Sequence, residues 1–200
     1  MLVSDIVRCN AEYFGEREAV VVPGVSVTSW GELEARTNRL GRAFGSLGIG
    51  KGERVAMFAP NCGEYIDFFF GCAKSGVIGA ATNIRLAAHE LVSYLRYVEP
   101  AAVIVHVDVA ERAREWLGEL ALSTKVIGAG AGHGFGLDLE ELIAAESPLD
   151  PGVAVDDSDV YQLGATSGTT GVPKGALLTH RNAIAAMLNW LAEIPIAEGG

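Results

Sequence analysis

Within residues 160–180 an apolar run, Val160 to Ala165, opens into Thr166-Ser167-Gly168-Thr169-Thr170-Gly171-Val172-Pro173-Lys174-Gly175. These ten positions hold four hydroxyl side chains, three glycines, one proline and one lysine, with no acidic residue to repel an anion. Glycines permit backbone turns that aim several amides at one centre. Ser and Thr hydroxyls donate to anionic oxygens, and one ammonium neutralises charge. The chemistry on offer is a grip on phosphate. Charge-assisted hydrogen bonds contribute roughly 1.5–3 kcal/mol each, so a few hold a polyphosphate against the field of an acidic protein. Pro173 fixes φ at the exit of the loop. A Walker A loop requires Gly before its lysine and Ser or Thr after it, whereas Lys174 stands between Pro173 and Gly175.

Other residues that invite chemistry have plainer readings. The tract from Gly128 to Gly136 never spaces its glycines as G-x-G-x-x-G, so it reads as a flexible loop rather than a dinucleotide fingerprint. His89, His106 and His133 share no ligand spacing with a cysteine or carboxylate, and no metal site is expected. His180 follows a strand and reads as a helix-start or packing residue ahead of a substrate contact. Arg85 is expected in a structural ion pair, and Phe68 to Phe70 in the core rather than in an acyl pocket.

The chain that must position the loop has 200 residues, 50% hydrophobic and 20% charged, which suits a globular fold. Its 15 Lys and Arg against 25 Asp and Glu give a net charge of −10, the wrong sign for a nonspecific grip on nucleic acid or anionic lipid. An anionic ligand must therefore be held locally. Cys9, Cys62 and Cys72 are odd in number and sit in apolar sequence, which points to a reducing, cytoplasmic setting. Asp5 and Arg8 interrupt any signal-peptide core. The most apolar stretch, Phe68 to Ala73, is fenced by Asp67 and Lys74, far short of the roughly 20 residues of a membrane span.

A helix through Ile6 and Tyr13 is followed by a strand, Ala19 to Val22, turned at Pro23-Gly24. Ser29 and Glu32 have capping-box spacing ahead of Leu33, Leu40, Phe44 and Leu47, and Asn61 with Glu64 repeats that spacing after the strand Arg54 to Ala59. Tyr65, Phe68, Phe69 and Cys72 share a helix that breaks at Gly76 before the strand Val77 to Ala81. Leu91, Leu95 and Val98 mark another helix, Ala102 to Val107 a strand, and Asp108 with Glu111 the start of a helix through Trp116. Lys125 to Ile127 is a short strand and Leu139 to Ala145 a brief helix. Ser147 to Asp157 reads as the main linker, before the strand-loop-strand 160–179 and a last helix through Ile184 and Leu191. This alternation predicts an α/β fold, a mostly parallel sheet flanked by helices on both faces.

The Thr166 to Gly175 segment resembles the phosphate-binding signature of the AMP-forming adenylate synthetases, the superfamily of acyl-CoA synthetases, firefly luciferase and peptide-synthetase adenylation domains. Upstream, Val27-Thr28-Ser29-Trp30-Gly31-Glu32-Leu33, Asn38-Arg39-Leu40, Leu47 to Ala56, Pro60-Asn61-Cys62-Gly63-Glu64 and Gly71 to Gly76 are similar to successive family blocks. Asn83-Ile84-Arg85 resembles the Asn-x-Arg of acyl-CoA synthetases, where peptide-synthetase domains usually carry aspartate. Two positions depart from the pattern. Ala165 stands where many relatives have an aromatic residue, and Ala80-Ala81 replaces a proline-containing segment.

The resemblance implies the N-terminal subdomain of an adenylate-forming enzyme, an acyl-CoA ligase acting on a fatty or related small carboxylic acid with ATP, magnesium and coenzyme A. Thr166, Ser167, Thr169 and Thr170 would donate to the nucleotide phosphates, Gly168 and Gly171 would offer backbone amides, and Lys174 would supply charge. The family's aromatic-Gly-x-Thr-Glu block, ribose-binding aspartate and C-terminal lysine have no counterpart in these 200 residues. The expectation is an incomplete N-terminal AMP-binding domain, inactive alone and prone to self-association through an uncovered face. A noncatalytic nucleotide-binding or assembly module stays open as the alternative, and a dinucleotide oxidoreductase is a poorer reading because its glycine fingerprint is missing.

Overall fold

A computed structural model describes residues 1–121, 123–166 and 174–194. Helix α1 (Val3–Phe14) leads into an antiparallel pair, β1 (Glu18–Val22) and β2 (Ser26–Ser29). Helix α2 (Trp30–Ser46) starts at the Ser29–Glu32 capping box, with the Glu32 carboxylate 2.8 Å from the Ser29 N–H, and stops before Gly48 at φ +76°. Then come β3 (Arg54–Phe58), α3 (Glu64–Ser75), β4 (Ile78–Ala81), α4 (Ala88–Val98), β5 (Ala102–His106) and α5 (Ala110–Leu117). After β6 (Lys125–Ala129) follow β7 (Leu137–Asp138), α6 (Leu139–Ala144), β8 (Val160–Thr166), β9 (Lys174–Thr179) and α7 (His180–Glu193).

Seven strands form one sheet in the order β7-β6-β5-β3-β4-β8-β9, parallel except for the β8–β9 pair. Side chains alternate along β3. Val55 and Met57 enter a core with Leu40 and Phe44 of α2, Phe68 of α3 and Ile143 of α6. Ala56 and Phe58 enter the opposite one with Leu91 and Leu95 of α4 and Trp116 of α5. Both faces of the sheet are therefore covered, as the alternating sequence predicted. The connection from β3 to β4 passes on one face, while those from β4 to β5 and from β5 to β6 return on the other. The neighbours β3 and β5 thus feed opposite faces, which makes the gap between their carboxyl ends a topological switch point, where open α/β sheets bind ligands.

Helices α2 and α3 lie close, since a Cβ on Gly71 would sit 2.8 Å from Leu40 Cδ2. Across their contact Lys74, buried to 2% side-chain exposure, donates to both Glu34 oxygens at 2.8 Å, and Arg36 pairs with Asp67 and Glu140 at 2.8 Å each. The segment 147–157 runs along α2 and the turn after it, where Asn38 donates to the Pro148 carbonyl, Arg42 to those of Leu149 and Asp150, and Lys51 of the turn to that of Ala154.

Two predicted caps are corrected. Helix α3 has Gly63 at its N-cap, already in helical backbone geometry, so Asn61 does not cap it. Asp108 lies in a 3-10 turn, Val107–Val109, and it is His106 Nδ1 that accepts the Asp108 N–H at 3.2 Å, ahead of the helix start at Ala110. The glycine tract is likewise not a plain loop. Strand β6 runs into it, and His133 is buried, its Nε2 2.9 Å from Asp138 Oδ2 and its Nδ1 accepting the Phe135 N–H at 3.0 Å.

Candidate functional site

Strands β8 and β9 pair with Thr166 opposite Lys174 and Ala165 opposite Gly175. Gln162 of β8 sits beside Gly79 of β4 in parallel register, so the C-terminal end of β8 lies on the carboxyl edge of the sheet. Ser167, Gly168, Thr169, Thr170 and Gly171 lie outside the described residues, as do the side chains of Thr166 and Lys174. Gly175 holds the exit of the loop against the sheet, since a Cβ there would lie 3.2 Å from Leu163 and 3.4 Å from the Tyr97 ring. The base of the hairpin is fixed by His180, which is fully buried and accepts the Val3 N–H on Nδ1 at 3.1 Å, with the Tyr161 ring 5.3 Å away. Burial holds the His180 imidazole below its ordinary pKa. His180 is the packing and helix-start residue that its position predicted.

On the same edge a cavity of about 750 Å³ opens between the β3–α3 and β4–α4 turns. Tyr65, Ile66, Phe69 and Ile84 supply aromatic and aliphatic wall, and Asn83 and Arg85 stand at its polar end. Thr82 Oγ1 donates to the Met57 carbonyl at 2.8 Å, and Asn83 Oδ1 accepts the Arg85 N–H at 2.9 Å, which sets the turn. Arg85 is exposed, and none of the ion pairs among the described residues includes it, against the structural pairing expected. Phe68 is core as expected, and Phe69 and Phe70 are partly buried against the core, with Phe69 also lining the cavity. Tyr65 reaches the Met57 and Ala59 carbonyls at 3.4 and 3.3 Å, and burial pushes its phenol up to about 12.

A second cleft of about 480 Å³ lies between the β1–β2 pair and the β3/β5 switch point. Here Cys62, Glu64 and His106, each half-buried, bring one ligating atom apiece within 4.8 Å of one another. Burial, reinforced by the Glu64 carboxylate, pushes the Cys62 thiol up to about 12. Sequence spacing hid this set because the adjacency of β3 and β5, and nothing local, brings residue 106 to residues 62 and 64.

The sequence model of the AMP-binding enzyme family matches residues 7–198. The chain belongs to that family. Among AMP-binding relatives, the long-chain-fatty-acid–CoA ligase FadD13 of Mycobacterium tuberculosis is 31% identical over 196 residues, 96% of this chain and 37% of that protein. The 3-hydroxybenzoate–CoA ligase of an Aromatoleum species is 31% identical over 167 residues, 82% of this chain and 31% of that protein. The crystal structure of the N-terminal domain of FACL13 from Mycobacterium tuberculosis superimposes with a TM-score of 0.85 at 26% identity, over 98% of this chain and 48% of that one. This AMP-binding chain therefore has the N-terminal domain fold of adenylate-forming ligases, and it spans about a third of the length of the curated relatives it matches. Among its described residues no helix is long and apolar enough to cross a membrane.

Proposed function

We propose that these residues form the N-terminal part of an ATP-dependent, AMP-forming acyl-CoA ligase for a fatty or related carboxylic acid, working in the cytoplasm. The observation that carries the reading is the antiparallel register that sets Thr166 opposite Lys174 on the carboxyl edge of the sheet. A hairpin of that register brings both ends of the hydroxyl- and glycine-rich segment to one point. Magnesium-bound ATP is the nucleotide substrate. The acid's carboxylate attacks the α-phosphorus, pyrophosphate departs with the electrons of the broken P–O bond, and the thiol of coenzyme A then displaces AMP from the acyl-adenylate.

In this reading Lys174 and the hydroxyls of Thr166, Ser167, Thr169 and Thr170, with the Gly168 and Gly171 amides, hold the β- and γ-phosphates. Their task is electrostatic and requires no proton transfer. Segment 147–157 is the connection that delivers β8 and its loop to the sheet. The aromatic and aliphatic wall of the 750 Å³ cavity suits an apolar acyl group. The test is carboxylate-dependent exchange of labelled pyrophosphate into ATP by a longer protein that contains these residues, with a panel of fatty and aromatic acids. Exchange is expected there and not from residues 1–200 alone, and Lys174→Ala should weaken ATP use by about 1.5–3 kcal/mol. Unchanged ATP kinetics in that variant would remove Lys174 from the phosphate site.

A further inference from the structure

We infer that Cys62, Glu64 and His106 form a site for a divalent transition-metal ion of the zinc type, with three protein ligands and a fourth position open to the cleft. A sulfur, a carboxylate oxygen and a ring nitrogen already lie within 4.8 Å of one another, with His106 Nε2 3.9 Å from Glu64 Oε1. Tetrahedral zinc bonds of about 2.0–2.3 Å place such ligand atoms about 3.3–3.6 Å apart. Small side-chain rotations therefore close the set without moving the backbone. The backbone is held at each ligand. Cys62 and Glu64 flank the start of α3, and His106 ends β5, whose Val105 pairs with Phe58 of β3.

The donor types select the ion, because thiolate with imidazole favours zinc, cobalt or copper over magnesium or calcium. The charge around them favours a cation. Glu64, Asp67 and Glu140 line the cleft against the single guanidinium of Arg36, and that guanidinium is engaged by Asp67 and Glu140. Among the described residues only His106 stands within ion-pair distance of Glu64. Ligation through Nε2 moves the imidazole proton to Nδ1, which then faces the Asp108 carboxylate at 3.4 Å in place of the Asp108 N–H it accepts in the metal-free chain. A carboxylate behind the distal ring nitrogen is the arrangement that orients metal-bound histidines. On binding, the Cys62 S–H bond breaks, its proton passes to solvent, the sulfur lone pair forms the metal bond, and no electron changes owner.

The test is titration of the 200-residue chain with Co²⁺, and with Zn²⁺ in competition, followed by absorption and by proton release in weak buffer. One equivalent of Co²⁺ is expected to give a thiolate-to-cobalt charge-transfer band, release about one proton per thiol ligated and be displaced by Zn²⁺. Cys62→Ser, which leaves Cys9 and Cys72 in place, should abolish the band, and His106→Gln and Glu64→Gln should each weaken Co²⁺ binding by at least about tenfold. The wild-type titration decides whether a thiolate binds metal independently of how any variant folds. No band in the wild type, a band that persists in Cys62→Ser, or unchanged affinity in either of the other two variants overturns the site.

Discussion

His133 occupies the space that a side chain at position 128 would need, since a Cβ on Gly128 would lie 1.9 Å from His133 Nδ1. The ring cannot simply swing away, because both nitrogens are engaged and its carbonyl accepts from Arg114 Nη2 at 2.7 Å. Gly128→Ala is therefore expected to destabilise the chain by about 1–3 kcal/mol, read as a lower urea midpoint with an unchanged slope. In sequence this glycine is one of five alternating with small or bulky neighbours, and nothing marks it as different from Gly132, which meets no atom within 4 Å. At this scale the sequence shows which residue types can do chemistry, and the Thr166 to Gly175 segment stands out for that reason. It does not show which side chains share a cavity. Cys62 and His106 belong to separate β-α units, and only the strand order β5-β3-β4 makes them neighbours.

Elements were far more legible than contacts. Apolar periodicity located the helices and strands because each buries one face, and Ser29–Glu32 marked a true helix start because it directly precedes that periodicity. The same spacing misled at Asn61–Glu64, where a glycine had already entered helical geometry, and Asp108 misled because the imidazole two residues earlier satisfied the free amide. Helix α6 is capped by a side chain, Asp138 Oδ1, which accepts the Glu141 N–H at 2.9 Å. That bond, with the His133 ring next, holds the Asp138 carboxyl below its ordinary value of 3.8. A depressed carboxylate contributes stability that is complete above the unfolded pKa and is lost as pH falls through the folded one. Asp138→Ala should therefore cost about 1 kcal/mol at neutral pH, and denaturant unfolding of the two chains should converge as the pH drops below 3.8. A gap that stays constant with pH would show that the charge plays no part.

For the whole molecule, the layered arrangement followed from the alternation of strands and helices; an uncovered apolar face was expected from the family resemblance, but its place at one end of the sheet was not legible. Strand β9 closes that end of the sheet with no further strand beside it among the described residues. Leu177 is 59% exposed there, and Trp190 of α7 is 68% exposed with Leu188 and Leu191 nearby. An open edge strand and large apolar side chains left exposed on the neighbouring helix favour association. The 200-residue chain is expected to sediment as more than a monomer at high concentration, and Leu177→Lys with Trp190→Glu to restore the monomer. A single monomeric species at all concentrations would oppose this.

The place of β8 has a kinetic consequence. Gly79 of β4 pairs with Gln162, about 80 residues later, and loop closure over such distances slows assembly. A nascent chain that has folded as far as α6 still carries β4 as a bare margin, open to a wrong partner until its own late strand arrives. Pulse-labelled amide exchange during refolding should find the β8 protons, and those β4 protons that face β8 rather than β3, protected last, after those of β3 and β5. Simultaneous protection of all four strands would mean that the sheet condenses in one step.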